Sequence, residues 1–236
     1  MSIRQVLRSL SVVTRSQSFL LSMGLGVIAL SAVAVSNTKT LKSIPDPVVK
    51  SSITASQGKQ VAVFAGGCFW GVEAVFEHVK GVTNVVSGFS GGSSTTASYD
   101  KVSGGDTGHA EAVEVSYDPK QVSYGQLLKV FFAVAHDPTQ RDRQGPDWGT
   151  QYRSAIFFVN SDQKKMAESY IKQLNQEKVF PNPIVTKVSA LNAFYPAEEY
   201  HQNFIQHNPT YPYVVVHDLP KLEALKKQFP NFYRSN

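Results

Sequence analysis

The 236-residue chain contains a single cysteine, Cys68, and this scarcity limits its chemistry. One thiol cannot form an internal disulfide, and it cannot alone supply a metal site that needs two or more thiolates. Basic and acidic residues also nearly balance outside the N-terminal segment. Residues 1–34 hold three arginines and no acid, which leaves 20 of the 23 Lys and Arg residues against the 18 acidic ones. Because no basic stripe is present, the composition argues against nucleic acid as a partner.

Long apolar runs are missing apart from one near the N-terminus. Residues 19–35 are uncharged, follow an arginine-bearing stretch and include a small-x-small sequence at 32–34 that is typical of a signal-peptidase site. As a helix this run would span about 26 Å, slightly less than a bilayer core of about 30 Å. We therefore predict that residues 1–35 are a cleaved signal peptide, and that the protein is exported to the periplasm or cell envelope. A membrane anchor and an organelle transit peptide are the alternatives.

Residues 36–58 are polar and contain two prolines, so we predict a flexible linker before a folded domain at 59–236. Hydrophobic periodicity within the domain predicts strands and helices without strict alternation, which favours an α+β fold. Strands are predicted at 60–65, 82–89, 111–117, 152–159, 183–190 and 213–217. Helices are predicted at 69–79, 123–135, 197–207 and 221–229, with a further one from 161, and 136–151 is predicted to be a loop.

Cys68 lies in the sequence GGCFWG at 66–71, where a predicted strand turns into a helix. A free thiol is only a few per cent thiolate at neutral pH, whereas the N–H groups at a helix N-terminus favour the anion. We therefore predict that Cys68 is a nucleophile with a lowered pKa. The alternative is a small hydrophobe that fills the core. Phe69 and Trp70 are either ordinary core residues or the walls of a methyl-sized pocket.

Glu111 shares its parity with the apolar residues of the strand at 111–117, whereas Glu114 falls on the opposite face. Burial among aromatic residues would raise the pKa of a carboxyl from about 4.3 and keep it protonated. An ionised carboxylate there would oppose ionisation of a neighbouring thiol. We weigh this buried acid against a strand-end carboxylate that stays in water or pairs with an arginine.

Other polar residues are less informative by themselves. Tyr99 and Tyr152 offer phenolic hydroxyl donors, although tyrosine is more often a packed amphipathic residue. His109, His136 and His201 are candidate bases for a thiol nucleophile, but no spacing favours any of them over a neutral structural histidine.

Several motifs occur in one order along the chain. They are GGCFWGVE at 66–73, GFSGG at 88–92, TGHAEAVEV at 107–115, HDPT at 136–139, RQG at 143–145, GTQYRS at 149–154 and AEEYHQ at 197–202. Together they resemble the A-type peptide-methionine sulfoxide reductases over nearly all of 59–207. The resemblance implies a two-layer α/β sandwich around a mixed, mainly antiparallel sheet. It also implies reduction of the S epimer of methionine sulfoxide, free or in proteins, without a metal or organic cofactor.

The resemblance assigns a role to each matching residue. Cys68 attacks the sulfoxide sulfur, and Glu111 protonates the sulfoxide oxygen. The supporting residues are Tyr99 and Tyr152 as hydroxyl donors to that oxygen, Asp147 at an acidic position, and Phe69 and Trp70 around the S-methyl group.

The chain departs from the family's commonest pattern at the resolving cysteine. Ser103 stands at one position where many members carry this cysteine, and residues 208–236 contain none. A sulfenic acid on Cys68 therefore cannot be captured within the chain. We expect an external thiol, either a thioredoxin-like protein or glutathione with glutaredoxin, to complete turnover by a monomeric enzyme.

Three other functions are compatible with the residues around Cys68. A cysteine hydrolase would use Cys68 with His109 or His136 as its base. A one-cysteine peroxidase would need an arginine and a threonine around the thiol. A binding module would hold methionine sulfoxide without turning it over.

Overall fold

The computed structural model describes residues 44–49 and 58–235. Its strands are β1 (Gln60–Gly66), β2 (Val82–Ser90), β3 (Ala110–Tyr117), β4 (Arg143–Gln144), β5 (Asp147–Trp148), β6 (Ser154–Phe158), β7 (Lys187–Ala190) and β8 (Phe194–Pro196). Within the described residues, a six-stranded sheet has the order β7-β6-β1-β3-β2-β8, and β4 and β5 form a separate hairpin. Only β6 and β7 pair in parallel, so the sheet is mixed and mainly antiparallel, as predicted.

The helices are α1 (Phe69–Glu77), α2 (Tyr99–Val102), α3 (Tyr124–Val130), α4 (Ser161–Gln176), α5 (Phe204–His207) and α6 (Leu219–Gln228). The main core lies between the sheet and these helices. In it the Phe64 ring of β1 stacks on Phe76 of α1 at 5.1 Å and on Phe131, just after α3, at 4.9 Å between centroids. Alanines and Phe157 occupy the opposite face of the sheet, packed against Leu191 and Phe194. The α+β sandwich predicted from the sequence is confirmed.

A glycine turn places Cys68 between β1 and α1. Gly67 has a φ of +92°, a conformation that side chains with a Cβ rarely adopt. A Cβ at this position would also lie 2.5 Å from Cγ of Gln144. The chain can therefore reverse here only with glycine, and Cys68 becomes the N-cap residue of α1.

The side chains of β3 alternate between the two faces of the sheet as predicted. Glu111, Val113 and Val115 are buried towards the helices, whereas Ala110 and Ala112 pack on the other face. Glu111 therefore enters the core between α1 and the sheet.

The C-terminal region differs from two predictions. The predicted strand at 213–217 is wrong, because Val214–Asp218 form a π-helical turn that leads into α6. Only Val214 of the valine run is buried, with Ala74 and Ile205. Val214 contacts this helical cluster, whereas Val215 and Val216 are exposed.

The predicted helix at 197–207 is interrupted. A 3-10 turn at Glu199–His201 precedes Asn203, whose φ of 53° is left-handed, and α5 follows. Gln202 causes the break in part, because its side-chain amide donates to the Ser87 carbonyl and accepts the Ser87 N–H, each at 2.9 Å. The predicted strand at 183–190 is regular only from Lys187, and the predicted loop at 136–151 contains the β4–β5 hairpin.

Part of the predicted linker lies against the domain. Tyr170 donates its hydroxyl to the Pro45 carbonyl at 2.6 Å, and Lys129 pairs with Asp46 at 2.7 Å. The predicted signal peptide and the rest of the predicted linker lie outside the described residues, except for Gly58. No helix in the part of the chain that the structure describes is long and apolar enough to cross a membrane.

Candidate active site

A cavity of about 210 Å³ lies at the N-terminus of α1. The residues that line it are Cys68, Phe69, Trp70, Tyr99, Glu111, Asp147, Tyr152, Tyr211 and Tyr213. The seven residues that the family resemblance assigns to the site are all among them, although they come from β3, β5, α2, a 3-10 turn and the start of α1. The cavity thus combines one thiol, two carboxyls and several phenols in an aromatic setting.

Cys68 is 8% exposed. Burial raises its pKa well above the usual value, and the carboxyls of Glu111 and Asp218 raise it further. The backbone N–H of Trp70 and the ammonium of Lys221 oppose this rise only in part. The prediction of a lowered pKa is therefore wrong for the thiol as the fold holds it, because desolvation outweighs the helix N-terminus.

The Glu111 carboxyl is 2% exposed, and its Oε2 accepts the backbone N–H of Phe69 at 3.0 Å. Burial raises its pKa to about 8, the Phe69 N–H opposes the rise, and the charge of Asp147 adds to it. The carboxyl therefore carries a proton at neutral pH, in agreement with the predicted uncharged acid. Because Oε2 is engaged as an acceptor, Oε1 is the oxygen free to carry that proton.

Phenolic hydroxyls surround this acid. Burial raises the pKa of Tyr99 to about 12 and also raises that of Tyr152, with the charge of Glu111 as the next contribution in each case. Both phenols therefore remain hydrogen-bond donors throughout the neutral range. The Tyr213 hydroxyl donates to Oδ2 of Asp147.

Sequence reasoning missed Tyr211 and Tyr213. Their Tyr-Pro-Tyr sequence at 211–213 is a possible signal, because a proline-interrupted aromatic pair suits a pocket-lining loop better than a strand. The incorrect strand assignment at 213–217 concealed it.

Trp70 forms an apolar wall held by several rings. Its indole stacks on Phe204 with centroids 3.6 Å apart and planes 6° from parallel, and the ring of Tyr213 meets it edge-on at 6.1 Å. The indole N–H donates to Nδ1 of His201 at 3.2 Å. Phe69 is 1% exposed and packs on Phe89. The wall has room beside it for a small apolar group.

The histidines that might have served as a base do not line the cavity. His109 accepts the Gly92 N–H at Nδ1 and contacts the Ser93 carbonyl through Nε2 at 2.9 Å. His136 contacts the Phe131 carbonyl at 3.1 Å and Oγ of Ser154 at 2.6 Å. Both rings are fixed by their own partners, so the geometry does not support a cysteine–histidine hydrolase. Across the described residues, no group of three or more His, Cys, Asp or Glu could hold a metal ion.

Comparison with known proteins identifies the family of this chain. A family model described as "Peptide methionine sulfoxide reductase" matches residues 60–232. The chain belongs to this family. A Synechocystis protein named peptide methionine sulfoxide reductase MsrA 2 is 57% identical over 190 residues, covering 80% of this chain and 89% of the relative. A Mesorhizobium japonicum protein of the same name is 58% identical over 179 residues, covering 76% of this chain and 92% of the relative.

Two solved structures share the fold. The reduced form of Mxr1 from Saccharomyces cerevisiae has a TM-score of 0.62 and 32% identity, covering 72% of this chain and 94% of that one. Methionine sulfoxide reductase A of Corynebacterium diphtheriae has a TM-score of 0.58 and 34% identity, covering 71% and 84%.

Proposed function

We propose that this protein reduces the S epimer of methionine sulfoxide, free or within proteins, and thereby repairs oxidised proteins. One observation carries the proposal: Cys68 and the protonated Glu111 share one aromatic cavity in a member of the peptide methionine sulfoxide reductase family. A sulfoxide oxygen leaves poorly until it is protonated, and a thiol sulfur is the nucleophile that the reaction needs.

The residues divide the reaction between them. Oε1 of Glu111 donates its proton to the sulfoxide oxygen while the sulfur of Cys68 attacks the sulfoxide sulfur, and the thiol proton returns to Glu111. The oxygen passes to Cys68, so methionine sulfoxide and a thiol become methionine and a sulfenic acid. The methionine sulfur is reduced by two electrons and the cysteine sulfur is oxidised by two.

The remaining residues position the substrate. Tyr99 and Tyr152 donate hydrogen bonds to the sulfoxide oxygen, and their raised pKa values keep both hydroxyls protonated. The S-methyl group packs against Phe69 and Trp70. Asp147, oriented by the Tyr213 hydroxyl, supports this group of donors.

The sulfenic acid must be reduced from outside, since the sequence has no second thiol. One external thiol forms a mixed disulfide with Cys68 and releases water, and a second thiol then frees Cys68. A thioredoxin-like protein, or glutathione with glutaredoxin, supplies both thiols.

The test uses the two separated epimers of a methionine sulfoxide peptide. With dithiothreitol, we expect multiple turnovers of the S epimer only. Without a reductant, we expect up to one methionine per chain and a sulfenic acid on Cys68 that mass spectrometry detects. Cys68→Ser is the matched control and forms no product. Reduction of the R epimer alone, or of neither epimer, would contradict the proposal, and binding without product would favour a binding module.

We further propose that the protein is exported and that residues 1–35 are removed. The arginine-bearing start, the apolar run at 19–35 and the small residues at 32–34 support this proposal. N-terminal sequencing of the mature protein tests it, and an intact Met1 would argue for an anchor instead.

A further inference from the structure

His201 lies behind the aromatic wall of the site. It is 2% exposed, and its ring centroid is 4.2 Å from that of Tyr99, 5.1 Å from Phe69 and 5.8 Å from Trp70. All three of these neighbours line the cavity, whereas His201 does not. It can therefore affect a bound substrate only through the residues that it holds.

The hydrogen bond from Trp70 fixes the state of this imidazole. An indole nitrogen can only donate, so Nδ1 of His201 must accept, at 3.2 Å, and the ring proton resides on Nε2. Burial lowers the pKa of His201, which favours this neutral form, although the charge of Glu198 opposes the shift.

The hydrogen bonding of His201 differs from that of the structural histidines. Both ring nitrogens of His109 and His136 have partners. Nε2 of His201 is buried and has no hydrogen-bond partner within the described residues, so the bond to Trp70 is the one hydrogen bond shown for this ring. The hydrogen bond to the indole therefore fixes the orientation of the His201 ring.

Ring contacts and one hydrogen bond hold the indole of Trp70. The parallel contact with Phe204 at 3.6 Å fixes the plane of the indole, and the edge-on rings of Tyr211 and Tyr213 lie 6.3 and 6.1 Å away. These apolar contacts have little directional preference within the plane of the indole, whereas the bond from Nε1 to His201 is directional. It therefore sets the orientation of the indole within that plane.

We propose that His201 is a positioning residue that sets the preference for a methyl group on the substrate sulfur by holding the indole of Trp70 in one orientation. This inference rests on the proposed function. An indole that turns in its plane would admit a larger alkyl group and would hold a methyl group less closely.

The experiment measures kcat/KM for the S sulfoxides of methionine and of ethionine in one peptide, with excess dithiothreitol. His201→Phe keeps a ring but has no acceptor, whereas His201→Asn loses the ring but offers Oδ1 near the position of Nδ1. Tyr200→Phe is the matched control, because this exposed residue contacts His201 with its ring tilted by 44° at 4.2 Å between centroids and lies outside the cavity lining. The ratio of kcat/KM for the two substrates is taken within each variant, so a lower fraction of folded protein cancels in the ratio.

One methylene in an apolar pocket is worth about 10- to 200-fold in discrimination. We expect His201→Phe to lower the methyl-to-ethyl ratio about tenfold, and His201→Asn and Tyr200→Phe to stay within about threefold of the unchanged protein. An unchanged ratio in His201→Phe, or an equal fall in His201→Asn, overturns the inference while the reductase activity stands. Failure of the unchanged protein to reduce the methyl substrate instead refutes the proposed function.

Discussion

Replacement of Glu111 by glutamine should stabilise the protein at neutral pH while it severely lowers activity. The folded carboxyl has a pKa of about 8 against an ordinary 4.5, so the native state keeps a proton that the unfolded chain loses above pH 4.5. The contribution of Glu111 to wild-type stability therefore falls by about 1.4 kcal/mol per pH unit between pH 4.5 and pH 8, and the cost reaches about 3 kcal/mol at pH 7. Glutamine does not ionise, and its carbonyl oxygen can still accept the Phe69 N–H.

The assay is urea unfolding of both proteins at pH 4.5 and pH 7. Other titrating groups are common to both proteins, so their contributions cancel in the difference between the two free energies of unfolding. That difference should move by about 3 kcal/mol in favour of Glu111→Gln between the two pH values. The loss of a general acid should lower kcat/KM by at least about 100-fold. Glu168→Gln, at a glutamate whose side chain is 53% exposed, is the control and should change neither quantity.

A difference that does not change with pH would refute the reasoning. It would mean that Glu111 is ionised in the folded protein at pH 7, and an ionised carboxylate cannot protonate the sulfoxide oxygen. Retained activity with the expected stabilisation would show that the acid is buried and neutral but that another group supplies the proton.

Two further predictions concern the surroundings of Cys68. Because burial raises the pKa of the Cys68 thiol, iodoacetamide should label it slowly at pH 7 without substrate and faster only at strongly alkaline pH. Mass spectrometry follows the labelling, and rapid labelling at pH 7 would contradict the raised pKa. Gly71→Ala should destabilise the fold, since a Cβ there would lie 2.1 Å from Oδ1 of Asp218 and 2.6 Å from Nζ of Lys221, two groups that pair at 3.0 Å. Separating this pair should cost about 3–5 kcal/mol in urea unfolding, and a loss below about 1 kcal/mol would show that the pair moves aside freely.

The sequence predicted the parts of the site that depend on local rules. Gly67 permits the turn that a side chain would forbid, so residues adjacent in sequence determine the strand–turn–helix around Cys68. The alternation of β3 placed Glu111 on the buried face for the same local reason. The family resemblance supplied Asp147, which no periodicity would have singled out.

The predictions that were wrong concern features that depend on residues distant in sequence. The valine run near the C-terminus has the composition of a strand, but Val214 packs on Ala74 of α1 and the segment coils into a helical turn. The raised pKa of Cys68 likewise reflects burial and the charge of Asp218, which lies 150 residues away in sequence. Neither effect can be read from a window around the affected residue.

The raised pKa values of both groups suit a reaction that creates no net charge. A thiolate and a carboxylate side by side in a buried cavity would repel each other, so the fold keeps both protons until a substrate accepts one. The sulfoxide oxygen takes the proton of Glu111, and the thiol of Cys68 restores it, so no unpaired charge is left in the cavity. Iodoacetamide accepts no such proton and needs a preformed thiolate. Cys68 should therefore react much faster with a bound sulfoxide than its alkylation rate at neutral pH would suggest.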